Sequence, residues 1–258
     1  MSLVLQPLAS GSKGNATLIK GRLGSLLIDA GLSKKRIVER LRQVGHRPED
    51  LDAVLLTHWH KDHTRGASLL CRRMGIPLYA TPACMPAQKP ELLRQPRTFR
   101  PGESFEVGEF KVESTALPHD APETVAFFIE AQGLRVGIVT DLGHPFDPGL
   151  PARLRELDAL LLEFNHDEEL LHRGPYPPFL KERILSREGH LSNAQAGSLL
   201  EQSLTGRHQV LFAAHLSETN NRPEIAMEQI LRSCHRAGRA DLEVHLCLQD
   251  QPTQAHWF

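Results

Sequence analysis

The chain has 258 residues, of which 40% are hydrophobic and 24% charged, and a formal net charge of −1. That length buries a sizeable core, and the composition excludes a fibrous or disordered chain. The near-neutral balance excludes a global electrostatic pull toward nucleic acid or an anionic membrane, so any grip on phosphate has to come from a local cluster or a bound cation.

In chain order, LVLQPL, ATLI, SLLID and AVLLT are strand-length apolar runs punctuated by Gly and Ser. SKKRIVERLRQVG reads as an amphipathic helix with Ser33 as N-cap and Gly45 as stop. GASLLCRRMG reads as a second helix and IPLYA as a further strand. ESFEVGEFKVESTAL and TVAFFIEAQGLRVGIVTD predict hairpins turning near Gly108 and Gln132–Gly133. DALLLEF and HQVLFAAH read as buried strands, with PPFLKERILS and SNAQAGSLLEQSL as helices between them. PEIAMEQILRSCHRAG predicts a last helix and LEVHLCLQ a last strand. There is no internal repeat, low-complexity tract or linker, so the expectation is one α/β domain of packed layers over residues 1–258.

Cys71, Cys84, Cys234 and Cys247 form no C-x-x-C pair and read as reduced thiols. The N-terminus lacks the basic start and apolar run of a signal peptide, and no stretch reaches membrane-spanning length. A cytoplasmic protein without membrane contact is expected.

The chemistry concentrates in THWHKDHTRG, residues 57–66, directly after the AVLLT strand. His58 and His60, two apart in an extended segment, point the same way and can grip one ion. Asp62 and His63 follow a bend and can reach a second. Imidazole and carboxylate donors suit zinc, manganese or iron. Three later residues are further candidates. His119 follows a strand in STALPHDAPE and on its own reads also as a surface histidine. Asp141 closes VGIVTD and reads also as a turn cap; His215 closes LFAAH and reads also as a core histidine.

Three other segments carry polar groups. ASGSKGNATLI offers open backbone N–H groups with Ser12 and Asn15, suited to a phosphate. In GHLSN, Ser192 and Gln195 fit a capping box, which puts His190 just ahead of a helix N-terminus; Ser192 and Asn193 are candidate contacts there. HLSETNNRP adds Asn220 and Asn221 as amide donors. Lys13, Lys61, Arg65, Arg173 and Lys181 are candidates to line a groove for a polyanion.

The H-x-H-x-D-H pattern after a hydrophobic strand resembles the signature of the metallo-β-lactamase fold superfamily, whose fold is a four-layer αββα sandwich. The spaced set S-G-S-K-G-N, H-W-H-K-D-H, T-D-L-G, F-N-H-D, Y-P-P-F-L-K-E-R-I, G-H-L-S-N and H-L-S-E-T-N-N spans nearly the whole chain. It is similar to the small exonucleases of the YycJ (WalJ, VicX) family, with Ala16 where a cysteine or similar residue is expected. The resemblance implies a 5′-to-3′ exonuclease on double-stranded DNA ends, linked to mismatch repair. No β-CASP insertion is present in the sequence.

The resemblance also implies two divalent ions, zinc or manganese with iron an option. His58, His60 and His119 would hold one, Asp62, His63 and His215 the other, and Asp141 would be shared. A hydroxide between them would attack phosphorus in line, with Asp62 also orienting it and His190, helped by Asn220 and Asn221, holding phosphate oxygens or steadying the leaving group. A small-ester hydrolase, such as a thioesterase or cyclic phosphodiesterase, would use the same metals with a narrower pocket. A regulatory protein on this scaffold would show a broken ligand set, and here all seven positions are filled.

Overall fold

The computed structural model describes residues 3–144 and 146–258. The chain falls into two compact units. One comprises residues 1–116, 121–134 and 247–258; the other comprises 117–120 and 135–246.

The first unit is built on a seven-stranded sheet. Strands β1 (Val4–Ala9), β2 (Ala16–Lys20) and β3 (Ser25–Ile28) pair antiparallel. From β3 the sheet continues in parallel through β4 (Ala53–Leu55), β5 (Leu78–Ala80) and β6 (Pro96–Thr98). All four residues of β3 and all three of β4 are buried, as expected of strands covered on both faces. Helix α1 (Lys34–Gln43) starts where expected: the Ser33 side chain accepts the Arg36 N–H. Its Ile37 and Leu41 join Leu27, Val54 and Leu70 in the core. The four-residue α2 (Lys61–Thr64) carries part of the histidine loop, and α3 (Ala67–Met74) ends at Gly75, which is left-handed at φ 73°. Strands β7 (Ser104–Val107), β8 (Phe110–Ala116) and β9 (Val125–Ala131) form an antiparallel set in the same unit. The Gly108 turn lies between β7 and β8 as predicted.

The second unit is a parallel sheet. Its strands β10 (Leu134–Val139, entered from the Gln132–Gly133 turn), β11 (Ala159–Glu163), β12 (Val210–Ala214) and β13 (Glu243–Leu246) pair in that order. Parallel neighbours need crossovers, and α4 (Leu150–Leu154), α5 (Glu168–Arg173), α6 (Pro178–Leu185), α7 (Asn193–Ser203) and α8 (Pro223–Arg236) lie in them. The predicted capping box at α7 is present, with Ser192 accepting from Gln195 N and Gln195 accepting from Ser192 N.

Several elements had no counterpart in the sequence pattern, the short helices α2 and α4 among them. Helix α5 is six residues long, too short for a period to show, and is set by Asp167 accepting the Leu170 N–H. Strand β6 is exposed and opens with Pro96, a residue tolerated only at a sheet edge. Strand β14 (His256–Trp257) is two residues pairing with β1.

Among the described residues no helix is long and apolar enough to cross a membrane. All four cysteines are buried free thiols, and burial pushes Cys71, Cys84 and Cys247 up to about 12.

Candidate metal-binding residues

The histidine loop follows the parallel strand β4, and Asp141 and His215 follow the parallel strands β10 and β12, at the C-terminal strand ends where open α/β sheets carry their ligands. In the first unit Ile28 of β3 pairs with Leu55 of β4, so Asp29 and the Thr57–His58 step emerge side by side. Asp29 is 3% exposed and left-handed at φ 60°, a strained conformation for a residue with a side chain.

The Asp29 carboxylate organises the histidine loop. Its Oδ1 accepts Thr57 N–H at 2.9 Å, and its Oδ2 lies 2.7 Å from His63 Nδ1 and 3.0 Å from Thr57 Oγ1. A carboxylate only accepts, so His63 carries its proton on Nδ1 and keeps the lone pair on Nε2. Thr57 Oγ1 lies 3.0 Å from His58 Nδ1. With the hydroxyl hydrogen given to Asp29, His58 Nδ1–H donates to Thr57, and Nε2 is likewise the accepting nitrogen of the His58 ring. Both imidazoles are 0% exposed. Anchored Nδ1–H groups presenting Nε2 are what a metal-binding histidine pair requires. His60 is half-buried and its ring centroid lies 4.7 Å from that of His58. Asp62 Oδ2 lies 3.5 Å from His63 Nε2.

The glycine-serine loop holds this arrangement from behind. Asn15 N donates to Asp62 O at 2.7 Å, and Asn15 Nδ2 lies 3.0 Å from His63 Nε2. Asn15 Oδ1 accepts Gly11 N–H at 2.9 Å. A Cβ on Gly31 would meet Asp62 O at 1.6 Å, so only glycine allows the two loops to approach. Asn15 is therefore a strut of the histidine loop, while Ser12 is exposed.

In the second unit the register Val139↔Leu162 and Glu163↔Ala214 aligns the ends of β10, β11 and β12. Asp141, Glu163 and His215 therefore come together. Asp141 and His215 are left-handed, at φ 57° and 56°. The ligand atoms of Asp141, Glu163, His190 and His215 lie within 4.8 Å of one another. Asp141 Oδ1 is 3.7 Å from both His119 Nε2 and His215 Nε2. His119 Nδ1 lies 3.2 Å from Gly189 O, an acceptor that puts its proton there and leaves Nε2 as the donor atom.

Glu163 is the hub of this cluster. Its Oε2 accepts Asp141 N–H at 2.7 Å and lies 3.2 Å from His190 Nδ1; its Oε1 accepts Leu191 N–H at 2.7 Å. Burial pushes the Glu163 carboxyl up, and His190 and His215 outweigh it, bringing it down to about 2. Burial likewise disfavours the charged His190 ring, but Glu163 and Asp141 hold its pKa above the ordinary imidazole value. His119 goes the other way: burial outweighs Asp141 and lowers it, favouring the neutral, ligating form. Two carboxylates at 0–1% exposure are costly to bury without cations, and a set of carboxylates and imidazoles fits zinc, manganese or iron.

Neither Asp29 nor Glu163 stood out in the sequence, although each is a lone carboxylate closing an apolar strand, as Asp141 is. Most other expected substrate contacts engage the protein. Ser192 Oγ donates to Glu168 Oε1 at 2.8 Å. Asn193 and Asn221 exchange amide hydrogen bonds at 2.9 Å, and Asn221 Nδ2 also reaches Phe164 O. Asn220 is 0% exposed, and its side-chain amide has no hydrogen-bond partner among the described residues. Of the expected groove cations, Arg173 pairs with Glu169 and Lys181 donates to His172 O, while Lys61 and Arg65 are exposed.

Strand-end histidines and carboxylates on two mixed sheets flanked by helices are the hallmark arrangement of one fold family, and the chain belongs to it: the β-lactamase superfamily domain matches residues 25–212. The family resemblance read from the motifs holds as well. Exodeoxyribonuclease WalJ of Streptococcus pneumoniae is 35% identical over 243 residues, 92% of this chain and 89% of that protein. Exodeoxyribonuclease YycJ of Bacillus anthracis is 31% identical over 264 residues, 100% of both chains. The metallo-β-lactamase fold protein YhfI from Bacillus subtilis superposes with a TM-score of 0.76 at 18% identity over 98% of each chain, a likeness that shows the αββα metallo-β-lactamase fold.

Proposed function

We propose that this chain is a metal-dependent DNA exonuclease acting 5′ to 3′ on double-stranded ends, in the cytoplasm and in the service of mismatch repair. The observation that carries the reading is the anchoring of His58 and His63 by Thr57 and Asp29, which fixes the proton of each ring on Nδ1 and makes Nε2 its ligating nitrogen. The exodeoxyribonuclease relatives supply the substrate class. Residues 1–258 are read as one family domain. His58, His60, Asp62, His63, His119, Asp141 and His215 are read as the ligands of two divalent ions, zinc or manganese. When bound, such ions activate water and offset the charge on the phosphoryl oxygens.

The remaining work falls to the chain's own groups. Glu163 fixes the His190 ring through Nδ1 and favours its protonated form, so His190 can give a proton to the leaving 3′ oxygen. Asp62, 25% exposed at its side chain, orients the attacking water. Ser12, exposed, is the expected contact whose side chain has no hydrogen bond within the described chain, whereas the unpartnered Asn220 amide is buried. The test is duplex DNA labelled at the 5′ or the 3′ end, incubated with manganese, zinc or no metal. Metal-dependent release of the 5′ label first, lost in Asp141→Ala, supports the reading. Turnover of a small diester but not of DNA ends supports the small-ester hydrolase instead.

A further inference from the structure

Pro118, Ser186, Arg187 and Glu188 line a cleft of about 340 Å³ in the second unit. Its volume lies in the range of small-ligand sites. Each wall leads directly into the cluster described above: His119 follows Pro118, and His190 comes two residues after Glu188. The walls are stitched together there, with Asp120 N donating to Glu188 O at 2.9 Å and His119 Nδ1 lying 3.2 Å from Gly189 O.

The turn that presents Arg187 is rigid. Ser186 Oγ donates to Arg183 O at 2.8 Å and accepts Glu188 N–H at 3.3 Å. Gly189 N donates to Ser186 O, and His190 N to Ile184 O, both at 3.0 Å. A Cβ on Gly143 would meet Arg187 O at 2.0 Å, so this backbone is packed in place while the Arg187 side chain is exposed. The neighbouring cations are committed: Arg183 to Asp120, Lys181 to His172 O, and Arg173 to Glu169. Among the described residues Arg187 has no ion pair or side-chain hydrogen bond. Arg187, with no partner among the described residues, thus lines a cleft whose two walls run on in sequence to His119 and His190.

We propose that this cleft is a phosphate subsite, in which Arg187 holds a backbone phosphate of the DNA strand next to the one being cleaved. A guanidinium matches two phosphate oxygens at once. Glu188, on the same wall, opposes the phosphate and sets an upper limit on how tightly the product is kept. The proposal rests on the exonuclease reading and assigns a binding role to residues that the ligand set leaves out.

The test is steady-state kinetics of the manganese-loaded full chain on duplex DNA, over a series of salt concentrations. For Arg187→Ala, KM rises about tenfold or more while kcat stays within about twofold. The log–log salt slope becomes shallower by about 0.9, the contribution of one phosphate contact. Arg187→Lys restores the slope but only part of the affinity, because the bidentate geometry is lost. Glu188→Gln lowers KM. Unchanged KM and slope in Arg187→Ala, beside an active wild type, overturn the subsite alone. A wild type that turns over no DNA with any metal overturns the exonuclease reading and the subsite together.

Discussion

Replacing Asp29 by asparagine keeps the shape of the side chain and inverts one of its two ends. The retained oxygen still accepts Thr57 N–H at the Oδ1 position, 2.9 Å away. The new amide nitrogen falls where Oδ2 stands, 2.7 Å from His63 Nδ1, and two donors cannot face each other at that distance. Nδ1 then accepts from the new amide, and the His63 proton is pushed onto Nε2, where it also meets the Asn15 amide nitrogen 3.0 Å away. The fold is kept, but the lone pair meant for the metal is gone. Loss of such a supporting carboxylate costs about ten- to a hundredfold in metal affinity, or about 1.4–2.7 kcal/mol. Asp29→Ala is the poorer test. It leaves Thr57 N–H and His63 Nδ1–H buried without acceptors at about 1–3 kcal/mol each, enough to endanger folding. The assay is competition between the metal-free protein and a chromophoric chelator for zinc, with circular dichroism confirming the fold. Wild-type affinity in a folded Asp29→Asn protein would refute the argument that His63 binds metal through Nε2 under the control of Asp29.

Two further outcomes concern stability. Ser192→Ala removes both the α7 cap to Gln195 N and the bond to Glu168. Thermal unfolding should show a loss of about 0.5–2 kcal/mol, a fall in Tm of about 2–4 °C per kcal/mol for a chain of this size; an unchanged Tm would count against the cap. His166 is 1% exposed, neither ring nitrogen has a hydrogen-bond partner among the described residues, and burial lowers its pKa to about 4. The folded state holds this proton more weakly than the unfolded chain. The contribution is therefore fully present above about pH 6.5 and lost as the pH falls toward 4, for a total of about 3 kcal/mol. Denaturant titrations of metal-free protein between pH 7 and 4.5 should show that slope, and His166→Gln should flatten it; identical slopes would refute the assignment.

What the sequence disclosed follows the range of the interactions involved. The Ser33 and Ser192 caps were readable because each is closed within three residues. The histidine loop was readable because its residue types are rare together. Asp141 and His215 were found as strand closers once the loop indicated what to seek. Asp29 and Glu163 close strands in the same way, but their meaning depends on register: β3 beside β4, and β10 beside β11 and β12. Those pairings join residues 23 or more positions apart, and no local pattern records them. The Asn193–Asn221 amide pair spans 28 positions; read locally, both looked like donors toward a substrate, whereas in the fold they bond to each other.

Metal analysis of the purified full chain, loaded with manganese or zinc and desalted, bears most directly on the assignment of seven side chains to two ions. Two ions per chain are expected in the wild type, with fewer retained in folded Asp141→Ala and His215→Ala proteins. A wild type that binds none, or variants that still hold two with unchanged affinity, would contradict it.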